Sequence, residues 1–115
     1  MGETLSELTK IISVMNASPK TRNLMEVFPR TIQFELDGEK SKFFITIQNG
    51  QMRLAEGISE KADIVVTGDS TEFAKVVSGK VDVTHPIAHG HITVKRGTIT
   101  DMTLLNRILW AIERR

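Results

Sequence analysis

The run Thr31-Ile32-Gln33-Phe34-Glu35-Leu36-Asp37-Gly38, resumed as Phe43-Phe44-Ile45-Thr46-Ile47-Gln48-Asn49-Gly50-Gln51-Met52-Arg53-Leu54, decides the fold. Apolar side chains recur at every second position: Ile32, Phe34 and Leu36, then Phe43, Ile45 and Ile47, then Met52 and Leu54. Successive side chains of a strand point to opposite faces, so a period of two predicts strands with one buried face. Asp37-Gly38 supplies a turn between the first two runs. Asn49-Gly50 separates the second and third, and Asn-Gly is the strongest short hairpin signal because both turn positions need positive φ. Three antiparallel strands in a meander follow, the last ending by Gly57. Further on, Ala62, Ile64 and Val66 predict a fourth strand ending at Gly68, and Ile92 and Val94 a fifth, closed by Arg96-Gly97.

On either side of these strands the period changes to that of a helix. Thr4 and Glu7 stand in capping-box spacing, and Leu5, Leu8, Ile11, Ile12 and Met15 recur at helical intervals until Asn16. Ser18-Pro19 reads as an N-cap with proline at the first helical position, opening a short helix with Leu24, Met25 and Phe28 that Pro29 ends. Asp69 and Glu72 mark another start, with Phe73, Val76 and Val77 on one side before Gly79 stops the helix. Residues 82 to 90 read as a helical turn with Pro86 near its start. Thr100 is the expected cap of a last helix running through Ile112, on which Leu104, Leu105, Ile108, Leu109 and Ile112 form one broad apolar stripe. Helix, helix, three strands, strand, helix, strand, helix predicts an α+β fold, one sheet under a helical layer.

Composition bounds the chemistry. A chain of 115 residues is expected to form one domain over residues 1–115, and 40% hydrophobic with 25% charged residues suits a soluble globular protein. Lys and Arg total 15 against 14 Asp and Glu, a balance that argues against a nucleic-acid partner held by electrostatics. There is no Cys, which excludes disulfides, thiol nucleophiles and zinc fingers. No transmembrane segment or secretory leader is evident, so a cytoplasmic setting is expected. The aromatics are five Phe and one Trp, leaving an interior that is mostly aliphatic.

Enzyme signatures are lacking. Gly68-Asp69-Ser70-Thr71 has neither the glycines nor the lysine of a phosphate loop, and the carboxylates are scattered or sit at caps and turns. His85, His89 and His91 are the only histidines, and His85 and His89 would share a face if helical. A metal site needs three or four converging ligands, and the pattern fixes no partner carboxylate. A loop role is therefore the default, with a metal-dependent or hydrolytic centre as the weakest alternative. Trp110 falls almost opposite the centre of the last helix's stripe, on a polar face beside Asn106 and Glu113. It is either packed under another segment or placed to contact a dimer partner, an enzyme or a membrane.

One set of segments resembles the sterol carrier protein-2 (sterol-binding) family. It comprises Lys61-Ala62-Asp63-Ile64-Val65-Val66-Thr67 leading to Phe73, then Ser78-Gly79-Lys80, then Gly90-His91-Ile92-Thr93-Val94. Val27-Phe28, Phe34 to Gly38 and the Asn49-Gly50 hairpin fall where that family has its first strands. The likeness spans roughly residues 20 to 112. Departures lie at Val83, where the family often has proline, at Pro86 (alanine), at His91 (lysine) and at Gly97, displaced by one. What the resemblance implies is a five-stranded, mostly antiparallel sheet with helices on one face enclosing an apolar cavity. It implies non-catalytic binding and transfer of a hydrophobic lipid: fatty acid, acyl-CoA, sterol or isoprenoid-like. No catalytic residue, metal or cofactor is assigned. The expected lining is Ile32, Phe34, Ile45, Ile47, Met52, Ile64, Val66, Ile92 and Val94 from the strands. Phe73, Val77, Ile87, Leu104, Leu105, Ile108 and Leu109 would complete it from the helices. The alternative is an accessory or dimerisation module of the same fold with a filled cavity, pairing with itself or an enzyme through Trp110.

Overall fold

A computed structural model describes residues 3–112. Its elements run α1 (Glu3–Ala17), α2 (Pro19–Glu26), β1 (Thr31–Asp37), β2 (Phe43–Gln48), β3 (Gln51–Glu56), β4 (Ile64–Asp69), α3 (Ser70–Val77), α4 (Thr84–Ala88), β5 (Ile92–Arg96) and α5 (Ile99–Leu109). The five strands form one sheet in the order β3-β2-β1-β4-β5. Every neighbouring pair is antiparallel except β1 and β4. This is the expected α+β architecture.

The register explains how local pattern becomes a layer. Ile32 lies opposite Ile45 and Ile64, Phe34 opposite Phe43 and Val66, Ile47 opposite Met52, and Val66 opposite Val94. Pairing thus aligns the apolar parity of all five strands on one face, and a slip of one residue would turn each set to the other side. Asn49 and Gly50 make the hairpin turn with φ of 55° and 71°, the doubly positive geometry that a two-residue turn requires.

A parallel neighbour cannot be reached by a hairpin, so the chain from β3 must cross the sheet before β4 begins. It crosses on the face away from the helices, and Gln33 holds it there. Gln33 has the outward parity yet is buried. Its Nε2 donates to the carbonyls of Gly57 (3.1 Å) and Phe43 (3.0 Å), and its Oε1 accepts from Ser59 N–H at 2.7 Å. Nothing in the alternation of β1 distinguishes this glutamine from an exposed one.

Some helix boundaries differ from expectation. Thr4 is not a cap: it lies inside α1, buried, with its hydroxyl donating to the Ser70 carbonyl at 2.6 Å. Ser18 caps α2 with Pro19 at the first turn, as the dipeptide predicts. Asp69 caps α3 through the amides of Thr71 and Glu72, while its own N–H goes to the His91 carbonyl. The last helix is capped by Thr98 rather than Thr100, in a reciprocal box with Asp101, and it ends at Leu109 rather than Ile112. Pro86 sits third in α4, where its missing N–H leaves no intrahelical bond unmade.

Candidate functional site

The expected lining residues converge. On the sheet side Ile32, Phe34, Ile45, Ile47, Met52, Ile64, Val66 and Ile92 are each at most 2% exposed. On the helix side the same holds for Phe73, Val77, Leu105, Ile108 and Leu109. Ile87, Val94 and Leu104 are partly buried against the same cluster, at its margin. Phe34 sits at the centre, stacked on Phe43 with ring centroids 5.0 Å apart and meeting the edge of Phe73 at 5.2 Å. Such pairs prefer offset or edge geometry because the ring faces are negative and the edges positive. The expectation omitted Phe43, Val76, Met102, Met15 and Met25, which are also buried in this cluster. Strand parity marked Phe43, and Met102 lies three positions before Leu105, so helical spacing puts it on the same apolar stripe.

A hollow large enough for water would give its lining side chains accessible surface. The deeply placed ones have almost none, so among the described residues sheet and helices are in contact along a closed apolar seam. The buried polar side chains Thr4, Thr21, Gln33, Ser70 and Asn106 lie off it, at helix ends, on the outer sheet face or against a loop.

The rim is built from directed hydrogen bonds. The Glu39 carboxylate accepts from the Leu5 amide at 3.1 Å and the Ser70 hydroxyl at 2.6 Å, tying the first turn of α1 to the start of α3. A carboxylate also suits the positive end of a helix dipole. Asn16 clasps the edge strand β3: its Oδ1 accepts from Met52 N–H (2.8 Å) and its Nδ2 donates to the Met52 carbonyl (2.9 Å). Asn106, expected on a polar face, is buried instead, and its Oδ1 accepts from Val83 N–H at 3.0 Å. Trp110 is 39% exposed, yet its Nε1 donates to the Val76 carbonyl at 2.9 Å, anchoring the end of α5 to α3. Glu113, expected beside it, lies outside the described residues.

Outside the seam, a groove of about 540 Å³ runs between α2 and α5, bordered by Lys20, Leu24, Asp82, Arg107, Trp110 and Ala111 among others. The backbone amide and hydroxyl of Thr84 hold the Asp82 carboxyl below its ordinary range. The histidines do come together: ring centroids are 4.4 Å apart for His85 and His89 and 6.2 Å for His89 and His91, all three exposed. Among the described residues, however, no group of three or more potential ligands is arranged to hold a metal ion. No helix among them is long and apolar enough to cross a membrane.

The architecture is thus an α+β fold whose one sheet and helices meet along a continuous apolar seam. A model of the SCP-2 sterol transfer family matches residues 8–107. The chain belongs to that family. It is 37% identical over 65 residues to the hydroxysteroid dehydrogenase-like protein 2 of Xenopus tropicalis, a match covering 55% of this chain and 16% of that protein. The chain thus corresponds to a small part of that relative's length. Among solved structures it resembles sterol carrier protein-2 like-3 of Aedes aegypti at a TM-score of 0.71 and 14% identity, covering 93% of this chain and 96% of that one. It also resembles the apo form of sterol carrier protein 2 of Yarrowia lipolytica at a TM-score of 0.69 and 19% identity, covering 94% and 91% respectively. At these identities the structural likeness speaks for the fold.

Proposed function

We propose that the chain is a non-catalytic carrier that binds one hydrophobic lipid in the seam between its sheet and its helical layer, as a single lipid-binding unit in the cytoplasm. The ligand class is a fatty acid, acyl-CoA, sterol or isoprenoid-like molecule. The observation that carries this reading is the seam itself, contributed by all five strands together with α3 and α5 and free of buried polar side chains. Moving a methylene from water into such surroundings is worth about 0.8 kcal/mol, so an acyl chain needs shape and dryness more than specific contacts. Membership of a sterol transfer family and fold likeness to sterol carrier proteins support it. Because the seam is closed, entry of a ligand requires the helices, α5 foremost, to separate from the sheet. The residues proposed to touch the ligand are those of the lining named above.

Native mass spectrometry of the purified chain is expected to show co-purified lipid, and a fluorescent fatty acid should be displaced by unlabelled lipid. Delipidated protein that binds neither acyl chains nor sterols at micromolar concentrations would refute the carrier reading. The closed seam favours a second reading, an accessory module whose interior is simply a core and whose partner is itself or an enzyme. The relative of which this chain covers only a small part is consistent with such an appended role. A Trp110→Ala variant with altered sedimentation mass and unchanged lipid binding would support it.

A further inference from the structure

The three histidines stand on one short stretch outside the seam. His85 lies in α4, His89 follows its last residue, and His91 precedes β5. The backbone there is well tied. His89 N–H donates to the His85 carbonyl at 3.1 Å, and His91 N–H to the Pro86 carbonyl at 2.9 Å. Pro86 is buried beneath the turn, whereas all three imidazoles are exposed and free to turn about their side-chain torsions. His85 and His89 are four residues apart, which places them on one face of the turn. Their ring centroids are 4.4 Å apart, with the planes inclined at 51°. An imidazole nitrogen sits about 2.0 to 2.1 Å from a bound zinc ion, so its ring centroid is about 3.2 Å from the metal, and two rings at a right or tetrahedral angle are about 4.5 to 5.2 Å apart. The 4.4 Å observed lies at the edge of that span. His91 does not join the pair. Its centroid is 6.2 Å from that of His89, a gap that one ion bridges only from a position almost in line between the two rings. That agrees with the lack, among the described residues, of any three-ligand group.

We propose that His85 and His89 form a two-histidine site for a divalent transition-metal ion of the Ni2+, Cu2+ or Zn2+ class, with water filling the remaining positions. Imidazole suits these ions, whereas Mg2+ and Ca2+ take oxygen ligands. Structural zinc sites use four protein ligands and catalytic ones three. A pair leaves the ion exposed and exchangeable, so the site is a surface clamp rather than a reaction centre. An ion shared by both rings ties the start of α4 to its end. Ile87, between them in sequence, packs at the margin of the seam, so the clamp sits on a segment that borders it. The proposal is independent of the carrier reading.

The test uses the intact chain, purified without a histidine tag and titrated calorimetrically at neutral pH with the chlorides of Ni2+, Zn2+ and Mg2+. Nickel and zinc should each bind with one ion per chain, and magnesium should not bind. His85→Gln and His89→Gln should each abolish nickel and zinc binding, and His91→Gln should leave it unchanged. All three positions are exposed, so the variants should keep the wild-type denaturation midpoint without metal, which separates a lost ligand from a lost fold. In the wild-type chain, zinc should shift the ring resonances of His85 and His89 and leave those of His91 in place. If a variant's metal-free midpoint falls, these wild-type resonances decide by themselves. Binding that survives His85→Gln or His89→Gln, binding lost equally on His91→Gln, magnesium bound as well as zinc, or no binding by the wild-type chain would each overturn the assignment.

Discussion

Gly68 shows how much a single position can carry. It lies within β4 at φ +136°, and a Cβ there would collide with the His91 carbonyl oxygen and come within 2.8 Å of the Ile92 Cα. Both obstacles are backbone of the neighbouring strand, which cannot swing aside as a flexible side chain could. Gly68→Ala is expected to destabilise the fold by about 2 to 4 kcal/mol, read as a lower denaturation midpoint at unchanged slope. In the sequence this glycine reads only as the end of a strand, because its φ and the approach of β5 are products of pairing. Asn16 and Trp110 teach the same lesson. One looks like the end of a helical pattern and clasps a strand edge, and the other looks like a free aromatic and is hydrogen-bonded to α3.

At the scale of elements, strand parity and turn chemistry were readable throughout, since a period of two and an Asn-Gly turn leave few alternatives. Helix starts were less so. The start of α5 offers two threonines, Thr98 and Thr100, and by residue type either could cap a first turn. The competition is decided by Asp101, which stands at the third helical position from Thr98: its amide donates to the Thr98 hydroxyl at 3.1 Å and its carboxylate accepts from the Thr98 amide at 3.0 Å. Thr98→Ala is expected to cost about 1 kcal/mol in chemical denaturation, whereas Thr100→Ala, exposed and outside the box, should stay within about 0.5 kcal/mol. Equal costs would show that the cap is placed wrongly.

For the whole molecule the question is whether the seam opens. Leu105→Trp or Ile108→Trp adds bulk where side chains already touch. In a rigid core such overpacking costs about 1 to 3 kcal/mol. In a seam whose layers part to admit a lipid, the new ring takes the ligand's place. The expected outcome is therefore a fold retained with little loss in midpoint and lipid binding reduced at least about tenfold, which is roughly 1.4 kcal/mol or more in affinity. Full stability loss with unaltered lipid binding would place the ligand elsewhere. The buried residues of the seam were legible because core and pocket draw on the same apolar types at the same parity. For that reason the sequence could not tell a full seam from a hollow one.

The sequence by itself determined which face of each strand is apolar, where the chain turns, and the family to which that order of segments is similar. These are properties of neighbours along the chain, set by backbone sterics and side-chain period. The crossover held by Gln33, the burial of Asn106 and the anchoring of Trp110 were decided only by tertiary structure. Each depends on groups far apart in sequence meeting at hydrogen-bonding or van der Waals distance, and no local pattern encodes that meeting. The closure of the seam belongs with them, since it reflects how completely two layers fill the space between them.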